Sequence, residues 1–121
     1  MNSADAVLHD AIAQELGKKL RHSYKDIKIN LSGEQKHEFN GQYPDMILSG
    51  HGMVLAVVEI ETGNSFSPDK IGTWKQLSGA GARLIVMAPK GLKAKIASAL
   101  WDGGMADKVS LGSYEITINM P

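Results

Sequence analysis

Hydrophobic and polar positions along this chain follow two periods, and the switches between them mark out eight elements. From Ser3 to about Arg21, Leu8, Ile12, Leu16 and Leu20 recur every fourth residue, with Val7 and Ala11 beside them, which predicts an amphipathic helix capped by Ser3. The period then changes to two. In Tyr24–Leu31, Ile27, Ile29 and Leu31 alternate with Lys28 and Asn30, the pattern of a half-buried strand with one wet face. Residues 32–42 are polar and bracketed by Gly33 and Gly41, and read as a loop.

The stretch from Tyr43 to Thr62 predicts a hairpin. Its arms, residues 46–48 and 53–60, are rich in Met, Ile, Leu and Val, and Ser49-Gly50-His51-Gly52 links them. The second arm is apolar on both faces until Glu59, as expected of a central strand covered on both sides. After a loop at 63–67, Ser67-Pro68-Asp69 reads as cap, first helical proline and first-turn acid of a second helix running to about Ser78. Gly79 and Gly81 stop it. Residues 83–88 form a short buried strand ended by Pro89, and 91–101 a third helix with Leu92, Ile96 and Leu100 spaced by four. A last strand is expected from Val109 to Met120, at a sheet edge and broken at Gly112 and Ser113. Strands that feed helices and return predict an α/β fold: a three-layer sandwich with a central mixed sheet flanked by helices, in a single domain over 1–121.

Composition narrows the function classes. Thirteen basic and thirteen acidic side chains cancel, so any nucleic-acid contact has to come from a local patch. The absence of cysteine excludes disulfides, thiolate metal sites and a cysteine nucleophile, and agrees with a cytoplasmic location. The first five residues lack the basic-then-apolar order of a signal peptide, and the longest apolar run is too short to span a membrane; a soluble, cytoplasmic protein is expected. The four histidines stand at no metal-ligand spacing to one another and are expected to be solvated.

The chemistry centres on carboxylates. Glu59 and Glu61 are two apart on one strand, so they are expected on the same face about 6.5 Å apart, where like charges repel unless a cation intervenes. Ion pairs with Lys70, Lys75 or Arg83 are the structural alternative, as is a turn role for Asp45 after Pro44. Glu15 lies at the edge of the first helix's apolar stripe, and either pairs with Lys19 at the surface or aims an acid at the sheet. Trp74, at helical spacing from Ile71 and Leu77, is expected in the core.

Pro44-Asp45 at one strand, followed fourteen positions later (59 − 45 = 14) by Glu59-Ile60-Glu61 ending the next, resembles the PD-(D/E)XK nuclease superfamily. The order helix, three strands, helix, strand over roughly residues 3–88 is similar to that superfamily's restriction endonuclease-like core. The resemblance implies Mg²⁺ or Mn²⁺ held by Asp45 and Glu59, with the Ile60 carbonyl completing the metal shell. It implies a further helix-borne acid at Glu15, as in resolvase-like members, and a polar residue reaching back from the second helix at Lys75 or Gln76. Glu61 stands where the family usually has lysine; some restriction enzymes carry Glu-x-Glu, and Lys70 or Lys75 could supply the missing charge. The implied activity is metal-dependent phosphodiester hydrolysis of nucleic acid, DNA above all, by a domain small enough to act as a dimer or as a module of a larger machine. The alternative is a catalytically inactive nuclease-like domain that binds nucleic acid or a protein partner.

Overall fold

An apolar stripe and a supply of good helix formers make Ser3–Leu20 one helix, α1, in the computed structural model, which describes residues 3–116. Its buried face is rotated from the expected stripe. Asp5, His9 and Ala13 are the fully buried positions, with Ile12, Leu16 and Leu20 packed beside them, whereas Val7 and Ala11 face solvent. Gly17 lets this helix sit close to the sheet, since a Cβ there would lie 3.1 Å from Ile29 Cδ1.

Five strands follow the two-residue period: β1 (Asp26–Ile29), β2 (Met46–Gly50), β3 (Met53–Ile60), β4 (Arg83–Pro89) and β5 (Val109–Tyr114). They lie in the order β1-β2-β3-β4-β5, antiparallel for the first two pairings and parallel for the last two. The hairpin joining β2 and β3 turns at His51 and Gly52, both with positive φ (55° and 78°), as a two-residue turn matched to strand twist requires. A register shift lies between Leu48 and Ser49.

Alternation sorts the side chains into two cores. Met46, Leu48, Ala56, Val58 and Ile60 pack beneath α1. Ile47, Val57, Leu84, Val86 and Ala88 pack on the opposite face against α2 (Lys70–Ser78) and α3 (Lys93–Asp102), through Trp74, Leu77, Ile96 and Leu100. The architecture is therefore α/β with a five-stranded mixed sheet between one helix and two. No described helix is long and apolar enough to cross a membrane.

Three boundaries differ from expectation. Helix α2 starts at Lys70, and its N-cap Asp69 makes no side-chain capping bond; the carbonyls of Ser67 and Pro68 instead accept the Lys70 and Ile71 N–H groups in a lead-in turn. A 3₁₀ turn, Lys90–Leu92, precedes α3. Strand β5 runs unbroken through Gly112 and Ser113, because its parallel pairing with Met87 and Ala88 holds them in register, and Gly112 makes room for the Met87 sulfur. The expected continuation to Met120 falls partly on residues outside those described.

The two tryptophans give the packing a direct check. Trp74 is 1% exposed and stacks on Phe66 at 5.8 Å, while Trp101 is 75% exposed. Trp74→Ala is expected to cost about 3–5 kcal/mol in urea denaturation, and Trp101→Ala no more than about 0.5 kcal/mol.

Candidate functional site

Asn30 prepares the site. It follows β1 directly and is 2% exposed, although its place in the alternating pattern predicts a wet position. Its amide donates to the His37 and Pro44 carbonyls (both 2.8 Å) and accepts from the Lys36 and His37 N–H groups (3.1 and 2.9 Å). Its own N–H donates to the Asp45 carbonyl at 2.9 Å. One buried side chain thus pins both the polar loop and the Pro44-Asp45 step, satisfying the amide completely.

Asp45 stands immediately before β2, opposite the end of β3. Its Oδ2 accepts the Ile60 N–H at 2.7 Å and its Oδ1 contacts His9 Nε2 at 2.9 Å. His9 comes from α1, so the carboxylate joins the helix to both strands. On its other side His9 Nδ1 meets Asp10 Oδ1 at 2.9 Å, and that oxygen also accepts from the Ser32 hydroxyl (2.9 Å) and N–H (2.8 Å). Burial alone disfavours the charged imidazolium, but hydrogen bonds and negative charge from Asp45, then Asp10, outweigh it and raise the His9 pKa from 6.5 to about 9. The expectation of a solvated histidine fails here, because two carboxylates take the place of water.

Glu59 meets Asp45 across the strands. The Asp45 N–H donates to Glu59 Oε2 at 3.3 Å. Burial, followed by the Asp45 charge and a hydrogen bond between the two carboxyl groups, pushes the Glu59 carboxyl well above the usual carboxylate range, with a smaller push from Glu61. Such a pair resists double ionisation unless positive charge is brought to it.

Glu61 has different company. It is 1% exposed, and Lys70 Nζ at the start of α2 donates to both its oxygens at 2.9 Å. The Ser65 hydroxyl donates to Oε2. The main chain is held as firmly: the Glu61 N–H reaches the Met87 carbonyl at 2.8 Å, and the Tyr114 hydroxyl donates to the Glu61 carbonyl at 2.5 Å. Burial and the nearby Glu61 and Asp5 charges raise the Tyr114 pKa, keeping that donor protonated.

The structure brings Asp45, Glu59 and the Ile60 backbone together, with Glu61 one step further along the chain. It does not gather the rest. Glu15 is exposed and forms no ion pair with Lys19. Gln76 is exposed and accepts from Gln42 Nε2 at 2.7 Å. Lys75, also exposed, lines a cleft with Arg83 and Lys108 near the start of β4, away from Asp45. Sequence reasoning missed His9, Asn30 and Ser65. For His9 a signal existed: Asp5, His9 and Ala13 are spaced by four alongside Ile12 and Leu16, so they share the buried face. Among the described residues no group of three or more His, Cys, Asp and Glu side chains is arranged to hold a metal ion.

No protein-family model matches this chain, and no curated protein matches it in sequence.

The electrostatics make stability depend on pH in a definite direction. A histidine with a raised folded-state pKa stabilises fully below its unfolded value, and that contribution is lost as pH rises from about 6.5 through about 9. The loss has an upper bound of about 3 kcal/mol, which solvent screening lowers. Glu59 acts in the same sense, since a raised carboxyl costs stability once it must ionise. Urea midpoints measured across this range are expected to fall for wild type and to flatten in His9→Gln. Glu59→Gln is expected to melt higher than wild type at neutral pH.

Proposed function

We propose that the protein is a metal-dependent phosphodiesterase acting on nucleic acid, DNA in the first place, with a restriction endonuclease-like core. The observation that carries this reading is the Asp45–Glu59 pair at the adjoining ends of β2 and β3, two carboxyl groups held together where only one ionises easily. The element order supports it: α1, an antiparallel β1-β2-β3 meander, α2, then β4 parallel to β3 is the succession that the resemblance implies.

The residues fit a hard divalent cation. Mg²⁺ keeps several waters and is commonly held by one or two carboxylates together with substrate phosphate, so a closed cage of three protein ligands is not required. Asp45 and Glu59 would hold it, and in that place it would supply Lewis acidity and a more acidic bound water. The remaining work falls to the chain itself. The Ile60 N–H and His9 fix the orientation of Asp45. Glu59, whose charge its surroundings disfavour, would ionise more readily with a cation bound beside it. Lys70 brings from α2 the positive charge that the resemblance places at position 61, and neutralises Glu61 in doing so.

One observation favours the alternative, a nuclease-like domain that binds without cutting. Glu61 is buried and engaged by Lys70 and Ser65, so it offers nothing to a substrate directly.

Titration calorimetry with Mn²⁺ separates the readings. Wild type is expected to bind, with affinity lowered at least about tenfold in Asp45→Ala, in line with loss of a charged ligand. Equal binding by both proteins, or by neither, would refute the metal site. On a panel of duplex, single-stranded and branched DNA and RNA, Lys70→Ala is expected to abolish cleavage while Lys70→Arg keeps part of it. Metal binding and DNA retention without cleavage by wild type would decide for the non-catalytic reading.

A further inference from the structure

The chain has no net charge, yet residues 18–28 carry five cations (Lys18, Lys19, Arg21, Lys25 and Lys28) and a single acid, Asp26. Three of these converge on one groove. Between α1 and the edge strand β1 runs an open cleft of about 470 Å³, with Gly17, Ile27 and Ile29 along it and Lys18, Arg21 and Lys25 around it. None of the three cations forms an ion pair with a described residue. A second cleft, of about 480 Å³, shares Lys25 and adds Lys28 and His51 at the tip of the β2–β3 hairpin. The two form a continuous basic strip around one end of the sheet.

Helix-end electrostatics account for part of this. Lys18 and Lys19 lie in the last turn of α1, where cations offset the helix dipole. Arg21 sits at the same helix end, but Lys25 and Lys28 lie well beyond it, so the dipole gives no reason for those two to gather there. Like charges around one groove repel one another, and an anion seated among them relieves that repulsion.

The site end of the molecule shows why a remote anion contact matters. Among the described residues, His9 pairs with Asp10 and Asp45 there and Lys70 with Glu61, while Glu59 adds a further acid, an acidic balance that does not attract phosphate. A protein of this charge that engages a polyanion has to draw its affinity from phosphates elsewhere along the strand. The strip is displaced from the site along the strands. Lys28 pairs through Ile47 to Val57, two residues from Glu59, and Met53 at the hairpin tip lies six residue steps from it (59 − 53 = 6), about 7 to 20 Å at ~3.3 Å per residue.

We propose that the strip of Lys18, Arg21, Lys25 and Lys28 is a non-catalytic docking surface for the phosphate backbone of nucleic acid, displaced along the strands from the reacting phosphate. The choice of occupant rests on the nuclease reading. Contacts displaced from the chemistry hold ground state and transition state alike, so they act on KM and leave kcat alone.

The test is fluorescence anisotropy with labelled duplexes of about 8 and about 24 base pairs in EDTA, titrated over a range of salt. It compares wild type, the K18Q/R21Q/K25Q triple variant and the single Lys25→Glu, each with its melting curve. The triple variant is expected to bind the long duplex at least about tenfold more weakly, with a salt slope shallower by about 3 (three contacts at ~0.9 each), and to lose affinity for the short one in the same sense. Lys25→Glu is expected to show a smaller loss of the same kind. Undiminished binding of the long duplex by the triple variant, with an unchanged slope, overturns the proposal. So does a loss confined to an acidic peptide such as polyglutamate. Mn²⁺ binding and cleavage by wild type decide the nuclease reading separately. A protein that cuts, and whose triple variant binds as well as wild type, loses the docking surface alone. One that binds through the strip but neither cuts nor binds Mn²⁺ loses the nuclease reading alone, and one that binds no duplex loses both.

Discussion

The Asp45 carboxylate is the joint on which this arrangement depends. One oxygen accepts the last N–H of β3 and the other holds His9 of α1, so the helix layer and two central strands meet at one side chain. Hydrogen bonds to an ionised acceptor are shorter and stronger than neutral ones, and here they replace the ladder bonds that end with β2. Asn30 secures the joint from behind by holding Pro44 and the Asp45 carbonyl. Had Asp45 been only a turn residue, the buried histidine would have no partner on the strands.

Around that joint the molecule tolerates unfavourable electrostatics. Glu59 is kept from ionising by burial and by its neighbour, while Glu61 is fully desolvated against Lys70. A buried ion pair returns little net stability, because desolvation offsets most of the attraction, and it becomes costly when one partner is removed. An apolar residue at either position would suit the sheet better, since Val57 and Val86 beside them are wholly buried. Costly buried charge at strand ends, on an otherwise well-packed sheet, is a feature that packing alone does not explain.

Much of this was legible in the order of residues. The hairpin, the two-faced β3 and the alternation in β4 follow from a period of two, and the approach of Asp45 to Glu59 follows from pairing the two arms. What escaped were polar groups whose partners lie far away in sequence. His9 finds Asp45 across 36 positions (45 − 9) and Asn30 finds Pro44 across 14; helical spacing could have marked His9 as buried, but no local pattern names a partner so far away. Lys70 was one of three cations expected to pair with the two glutamates, and the structure gives it to Glu61. The Ser67-Pro68-Asp69 signature reads as a helix start, but the carbonyls of Ser67 and Pro68 closed the turn first and set Lys70 at the head of α2, facing Glu61.

The phenol of Tyr114 on the Glu61 carbonyl has a consequence for biosynthesis. The central carboxylates at positions 45, 59 and 61 leave the ribosome before the groups that hold the Glu61 backbone, the Met87 carbonyl and the Tyr114 hydroxyl. Vectorial folding can make the meander early; it cannot fix position 61 until the outermost strand has been translated and docked. The nascent protein therefore carries its acids in an unfinished frame until Met87 and Tyr114 have emerged and docked.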